Sequence, residues 1–214
     1  PPRLRGNVAV RSLSLAAGLA LFALGIVLLL ESGLGLSPWD VLNQGASERT
    51  PLSFGLANVV IALAVLGLAG ALGARIGTGT VANAILIGLF VDGLIAVGIL
   101  DSVRDASLGA RVGAMVLGIL VIGAGSALYI GAGMGAGPRD SLMLVLARRT
   151  GVRVGAVRAG LEVAVTVAGF ALGGTVGVGT LAFALGVGPA VELAFWLVQR
   201  SPLALPAADA SRAL

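Results

Sequence analysis

Gly35-Leu36-Ser37-Pro38-Trp39-Asp40-Val41-Leu42 returns one hundred residues later as Gly135-Ala136-Gly137-Pro138-Arg139-Asp140-Ser141-Leu142. The match extends outward without a gap. Gly73, Gly77, Gly79 and Thr80 recur as Gly173, Gly177, Gly179 and Thr180, and Gly18, Gly25, Gly33, Thr50, Gly55 and Gly88 have the same partners at +100. Asp92 is matched by the acid Glu192. About 24 of the 82 aligned pairs over 11–92 are identical, enough to read the chain as a duplication before anything else is assigned. A duplicated apolar half is a common way to build a transporter, with the site between the halves.

Composition sets the solvent. The 214 residues are 57% hydrophobic and 11% charged, with mean hydropathy +1.05, whereas soluble domains carry about 25% charged residues. Apolar runs near 13–30, 56–74, 80–100, 112–130, 156–174 and 178–198 are each close to the ~20 residues a spanning helix needs. The chain therefore reads as an all-α polytopic membrane protein. All 14 basic residues are Arg, and there is no His, Cys or Lys. A pI near 11.2 would suggest nucleic acid for a soluble chain; here the arginines are read as topogenic, with the N-terminus cytoplasmic.

Each half reads as long helix, short segment, long helix, long helix. The expected boundaries are a first repeat over 1–100, a linker over 101–110, a second repeat over 111–200 and a disordered tail over 201–214. Arg3, Arg5 and Arg11 precede the first apolar run, as in a signal peptide. No small-x-small cleavage site sits in a polar region after Leu30, and the run has a mid-chain twin at 113–130, so a retained helix is expected. The absent initiator Met is read as a trimmed N-terminus. Gly77-Thr78-Gly79-Thr80 is too short and apolar for a phosphate loop and is read as a hairpin between helices.

The short segments matter most. An extended Gly33–Ser37 stretch leads to Pro38, suited to a first helical turn. Ser37 and Asp40 make a capping-box-like start, which the second half repeats as Gly137, Pro138 and Asp140. The helices are expected to end near Ser47 and Ala147, too short to span alone. Five extended residues cover roughly 16 Å and ten to twelve helical ones roughly 15–18 Å, so such a broken segment either crosses the bilayer or dips and returns. Crossing makes the halves parallel, with about 12 arginines inside; dipping makes them inverted, with about 11 inside and 3 outside. The matched positive charges Arg11/Arg111 and Arg49/Arg149 favour parallel halves.

Polar groups within apolar runs are few, and a charge at membrane depth is by default a functional hypothesis. The candidate substrate-binding set is Trp39, Asp40, Asn83, Asp92, Arg139, Asp140, Arg158, Glu162 and Glu192. Each has a plainer role. Asp40 and Asp140 would cap their own helices, and Arg158 and Glu162, spaced i, i+4, would pair with each other. Asp92 and Glu192 would anchor an interface, and Trp39 and Trp196 would sit in the headgroup belt. Short-helix N-termini reaching mid-membrane would offer free N–H groups and a positive dipole end to an anionic or zwitterionic solute. Catalysis is not expected: without His, Cys or Lys most nucleophile–base pairs are missing. No catalytic residue, metal site or cofactor is assigned.

The segments Ser37–Gly45, Gly77–Asn83 and Gly137–Met143 resemble the bacterial YczE/YyaS/YitT-type integral membrane proteins. The likeness covers about residues 10–195, with Asn43 a mild departure at a position associated with His. The resemblance implies a multi-pass protein of the bacterial inner membrane and supplies no substrate. The expected function is a small-solute transporter or substrate-binding membrane subunit. The alternative is a non-transporting scaffold or regulator acting on a partner protein. Expected partners are the lipid bilayer and a small solute, not nucleic acid, with a homo-oligomer or partner membrane protein left open.

Overall fold

The computed structural model describes residues 7–201. Eight α-helices carry the described residues, with no strand among them: α1 (Val8–Ser32), α2 (Pro38–Arg49), α3 (Phe54–Ala71), α4 (Thr78–Val97), α5 (Leu108–Gly131), α6 (Pro138–Thr150), α7 (Val154–Ala171) and α8 (Val178–Arg200). The long–short–long–long order occurs twice. All six long helices are long and apolar enough to cross a membrane.

Helix starts follow local chemistry. The Asn7, Ser37, Ser53 and Ser107 side chains each accept a backbone N–H from the first turn of α1, α2, α3 and α5, satisfying donors that have no intrahelical partner. Pro38 and Pro138 occupy first-turn positions. Three boundaries differ from the sequence reading. The short helices run on to Arg49 and Thr150. The 101–110 linker holds a 3-10 turn, Asp101–Val103, and already contains the start of α5. The Gly77–Thr80 hairpin is instead the first turn of α4, where the Thr80 hydroxyl accepts the Gly77 N–H at 3.2 Å. The tail expectation falls outside the described residues after Ser201.

α1 and α5 form the centre, and they run antiparallel. Gly18 lies against Gly125, and Gly25 against Gly118. A Cβ on Gly18 would sit 2.6 Å from the Tyr129 nitrogen, and one on Gly125 would sit 2.6 Å from the Gly18 carbonyl oxygen. Only residues without a Cβ allow this approach. It is the kind of packing that stabilises helix pairs where lipid removes the hydrophobic gain. Leu19, Ile26, Leu29 and Ile122 are fully or almost fully buried around the seam.

The polypeptide therefore has inverted halves, which corrects the parallel arrangement favoured above. Arg111 Nε donates to the Ser32 carbonyl at 2.7 Å, so α5 starts on the face where α1 ends. The Gly179 N–H donates to the Leu34 carbonyl at 2.7 Å, putting the α7–α8 loop on that face. Arg49 Nε donates to Leu172 in that loop at 3.0 Å. The short helix α2 thus leaves a face and returns to it. Its counterpart α6 does the same on the opposite face, where Arg149 reaches Leu72 at 2.9 Å and the Gly79 N–H reaches Met134 at 2.9 Å.

The physical reason for the correction lies in the arginines themselves. Arg11 donates to the Ala132 and Gly133 carbonyls at 2.7 and 2.8 Å, as Arg111 does to Ser32. Each matched arginine neutralises the carbonyl end of a helix in the other half. The charge recurs because the contact is reciprocal across a two-fold, not because the two positions face one compartment.

Two outcomes are expected. With single cysteines at Asn7, Arg75 and Ser107, an impermeant thiol reagent should label Asn7→Cys and Arg75→Cys from one side of sealed vesicles and Ser107→Cys from the other. Gly125→Leu should lower the thermal midpoint sharply, since overpacking a tight seam costs about 1–3 kcal/mol or more; a small surface glycine such as Gly67, with open space around it, should accept alanine with little change.

Candidate functional site

The two short helices start at the middle of the molecule, N-terminus to N-terminus. The Ser37 hydroxyl caps α2 and also bonds the Asp40 carboxylate. Asn43, one turn on, donates to the other Asp40 oxygen at 3.2 Å. Arg139, in the first turn of α6, approaches Asp40 at 3.9 Å, and its guanidinium lies 5.1 Å from the centre of the Trp39 ring. Asp140 accepts from the Tyr129 hydroxyl at 3.5 Å, a long contact. The start of α6 has no side-chain cap. Asp40 is buried whereas the Arg139 side chain is 27% exposed. A buried carboxylate is tolerable only where hydrogen bonds satisfy it, and Ser37 and Asn43 supply them to Asp40.

These groups border a cavity of about 220 Å³, on the order of seven waters at ~30 Å³ each. Its walls come in repeat-related pairs: Phe22 and Ile122, Pro38 and Pro138, Asp40 and Asp140, Ile87 and Val187. The cavity therefore straddles the two-fold. Five further pairs break the symmetry: Ser37/Gly137, Trp39/Arg139, Asn58/Arg158, Ala62/Glu162 and Asn83/Phe183. The amide nitrogen of Asn58, a residue only 3% exposed, has no hydrogen-bond partner, so the cavity wall holds an unused donor. Arg158 and Glu162 pair at 2.8 Å and line the same space.

Of the nine residues singled out from sequence, Trp39, Asp40, Asn83, Arg139, Asp140, Arg158 and Glu162 meet at this cavity. Trp39 is thus not a headgroup-belt residue, whereas Trp196 is exposed with Arg200 stacked 3.8 Å from its ring centre. Asp92 and Glu192 are elsewhere. Asp92 bonds the Ser53 hydroxyl and accepts the Gly55 N–H at 2.8 Å, fastening α4 to the start of α3. Glu192 is exposed and outside the cavity. The candidate set left out the lining residues Ser37, Asn58, Ser126 and Tyr129. Tyr129 is the chain's one tyrosine and stands edge-on to Phe22, but a lone aromatic in an apolar run carries no positional signal.

The two sides of the cavity are not alike. α3 and α4 pack closely, with Gly55 and Gly88 in backbone contact and Asp92 as the fastening. Their counterparts α7 and α8 make almost no contact. Gly155 and Gly188 have open space where a Cβ would point, and Arg153 stands in place of the capping Ser53. The Arg158 and Glu162 side chains, on α7, are 53% and 28% exposed and line the cavity.

The family described as "Family of unknown function (DUF6198)" matches residues 9–195. The chain belongs to this family. It is 38% identical over 142 residues to an uncharacterized protein of Haemophilus influenzae, covering 65% of this chain and 62% of the relative. It is 34% identical over 147 residues to the uncharacterized membrane protein YczE of Bacillus subtilis, covering 66% and 65%. The uncharacterized protein YyaS of the same organism is 32% identical over 143 residues, covering 62% and 68%. The matches thus span under two thirds of the first two relatives' own lengths. No solved structure matches. The YczE-type resemblance read from the Pro-Trp-Asp and Gly-Pro-Arg-Asp segments agrees with the family, and the DUF6198 match contains every cavity residue named above.

The carboxylate pair across the repeat should separate in this family member. Asp92→Ala leaves the Gly55 N–H and Ser53 without their acceptor and should cost about 1–3 kcal/mol, read as a lower midpoint in detergent. Glu192→Ala should stay within about 0.5 kcal/mol of the parent.

Proposed function

We propose that this DUF6198 protein carries a small zwitterionic solute across the bacterial cytoplasmic membrane, without chemical change to it. The observation that supports this most is the unequal closure around a cavity on the two-fold: sealed by α3 and α4, open between α7 and α8. Inverted repeats can exchange such arrangements, so that the site faces alternate sides in turn. Gly155, Gly188 and Glu192 stand where Gly55, Gly88 and Asp92 close the other side, and we assign them the matching role when α7 and α8 come together.

The solute class follows from the lining. Arg139 and the uncapped start of α6 suit a carboxylate or similar anionic end. Asp140 and Glu162 suit a cationic end, and a purely anionic solute would face three carboxylates. A cavity of 220 Å³ fits something of amino-acid size. The N-terminal face is assigned to the cytoplasm, because Arg11, Arg75, Arg148, Arg149, Arg153 and Arg200 lie there against Arg49, Arg104 and Arg111 opposite. The broad apolar faces of α7 and α8, with Val163, Val167, Phe170, Leu181 and Leu185 exposed, support a second reading as a scaffold for a partner membrane protein.

The test is a panel of amino acids and betaines, scored by thermal shift on purified protein and by uptake into proteoliposomes. At least one member should stabilise the protein and be taken up. Arg139→Gln and Glu162→Gln should each weaken it by about 10–100-fold, the cost of a lost charge-assisted hydrogen bond. The absence of both binding and flux across the panel, with a stoichiometric partner co-purifying, would replace transport by the scaffold reading. Because the chain has no cysteine, Gly155→Cys with Gly188→Cys reports closure directly. Disulfide formation should rise when the stabilising solute is added.

A further inference from the structure

A second cavity, of about 560 Å³, opens on the face that carries the N-terminus. It lies between the loop after α3, the flank of α6 and the start of α7, and shares no residue with the central cavity. Arg75, Arg148 and Arg153 line it, and no acid does. Among the described residues none of these three guanidinium groups has an ion pair or hydrogen bond. Its remaining wall includes Leu144, Val152 and Val154, each about two-fifths to half exposed.

The duplication supplies a control within the same molecule. The corresponding positions on the opposite face are Thr175, Glu48 and Ser53 where this cavity has Arg75, Arg148 and Arg153. Gln44 stands where it has Leu144, and there the Gln44 side-chain oxygen accepts the Thr175 N–H at 2.7 Å, bridging that space. The opposite face therefore bridges the place that this face leaves open and lines with three arginines. Three substitutions toward arginine around one cavity exceed what topology alone asks for, since a topogenic charge needs only to be in the loop.

We infer that this cavity binds the phosphate headgroup of an anionic membrane lipid. The three arginines would take the phosphodiester, a geometry guanidinium groups suit. The exposed Leu144, Val152 and Val154 give the glycerol and upper acyl chain an apolar wall at the end of spanning helices. That wall selects a lipid over free phosphate, which needs only the charges. Basic pockets at helix ends on the cytoplasmic side are where such headgroups bind. The inference is separable from the transport proposal, because no residue lines both cavities.

The experiment uses the delipidated full chain in a neutral detergent. Phosphatidylglycerol should raise the thermal midpoint by about 5 °C, and phosphatidylcholine should not. Inorganic phosphate at the same concentration should give less than a third of that rise. Arg148→Gln with Arg153→Gln should remove the phosphatidylglycerol response, and Arg75→Gln should at least halve it. Arg200→Gln, on the same face but away from the cavity, should keep it. Equal responses to the two lipids, or a full response in the double variant, would overturn the assignment. A phosphate response equal to that of the lipid would replace it with a free-phosphate site. If the double variant fails to fold, native mass spectrometry of Arg75→Gln decides, with unchanged phosphatidylglycerol adducts counting against the site.

Discussion

The close antiparallel approach of α1 and α5 is the constraint on which the rest depends. In lipid, two apolar helices gain little by hiding side chains from each other, so stability comes from backbone proximity and polar contacts. Gly18, Gly25, Gly118 and Gly125 provide that proximity. The ends are then tied by arginines that reach across: Arg11 to the end of α5 and Arg111 to the end of α1. Once these helices are fixed antiparallel, α2 must return to the face it came from; α6 does the same, with Arg149 on Leu72, and the two Pro-started N-termini come together at the centre.

That meeting creates a polar site in an apolar molecule, and the site is held by its own chemistry. Asp40 is satisfied by Ser37 and Asn43 and faced by Arg139. Divergence between the halves then gives the cavity a direction. Where the first half has the small or neutral Ala62 and Asn58, the second has Glu162 and Arg158. The same divergence loosens the second half, since Arg153 cannot cap α7 as Ser53 caps α3, and Glu192 is not positioned as Asp92 is. A repeat that is symmetric in its scaffold and asymmetric in its polar groups is what a site for an unsymmetrical solute needs.

Much of this was legible in the sequence for reasons that are local. The duplication, the six spans and the two Pro-started helices follow from residue spacing, hydropathy and capping chemistry, all set within a few residues of each position. Six of the seven cavity-lining residues were legible because charge and amide groups in apolar surroundings are conspicuous, and Trp39 because it sits in the repeated Pro-x-Asp segment. Asp92 was conspicuous for the same reason and yet serves as a fastening between α3 and α4. Tyr129 was invisible because nothing in its neighbours marks it. The matched arginines misled, since a sequence shows that a charge recurs but not which helix end it reaches.

The sequence by itself determined that the chain lies in a membrane, that it is built of two related halves, and that each half contains one helix too short to span. Only the tertiary structure decided that the halves are inverted, that α3 and α4 pack together while α7 and α8 do not, and which acids reach the cavity. The reason is physical. The helices are apolar all round, so no stripe reveals which face meets a neighbour and which meets lipid. The contacts that choose between arrangements join residues on opposite halves of the chain, about 120 positions apart for Arg11 and Arg49.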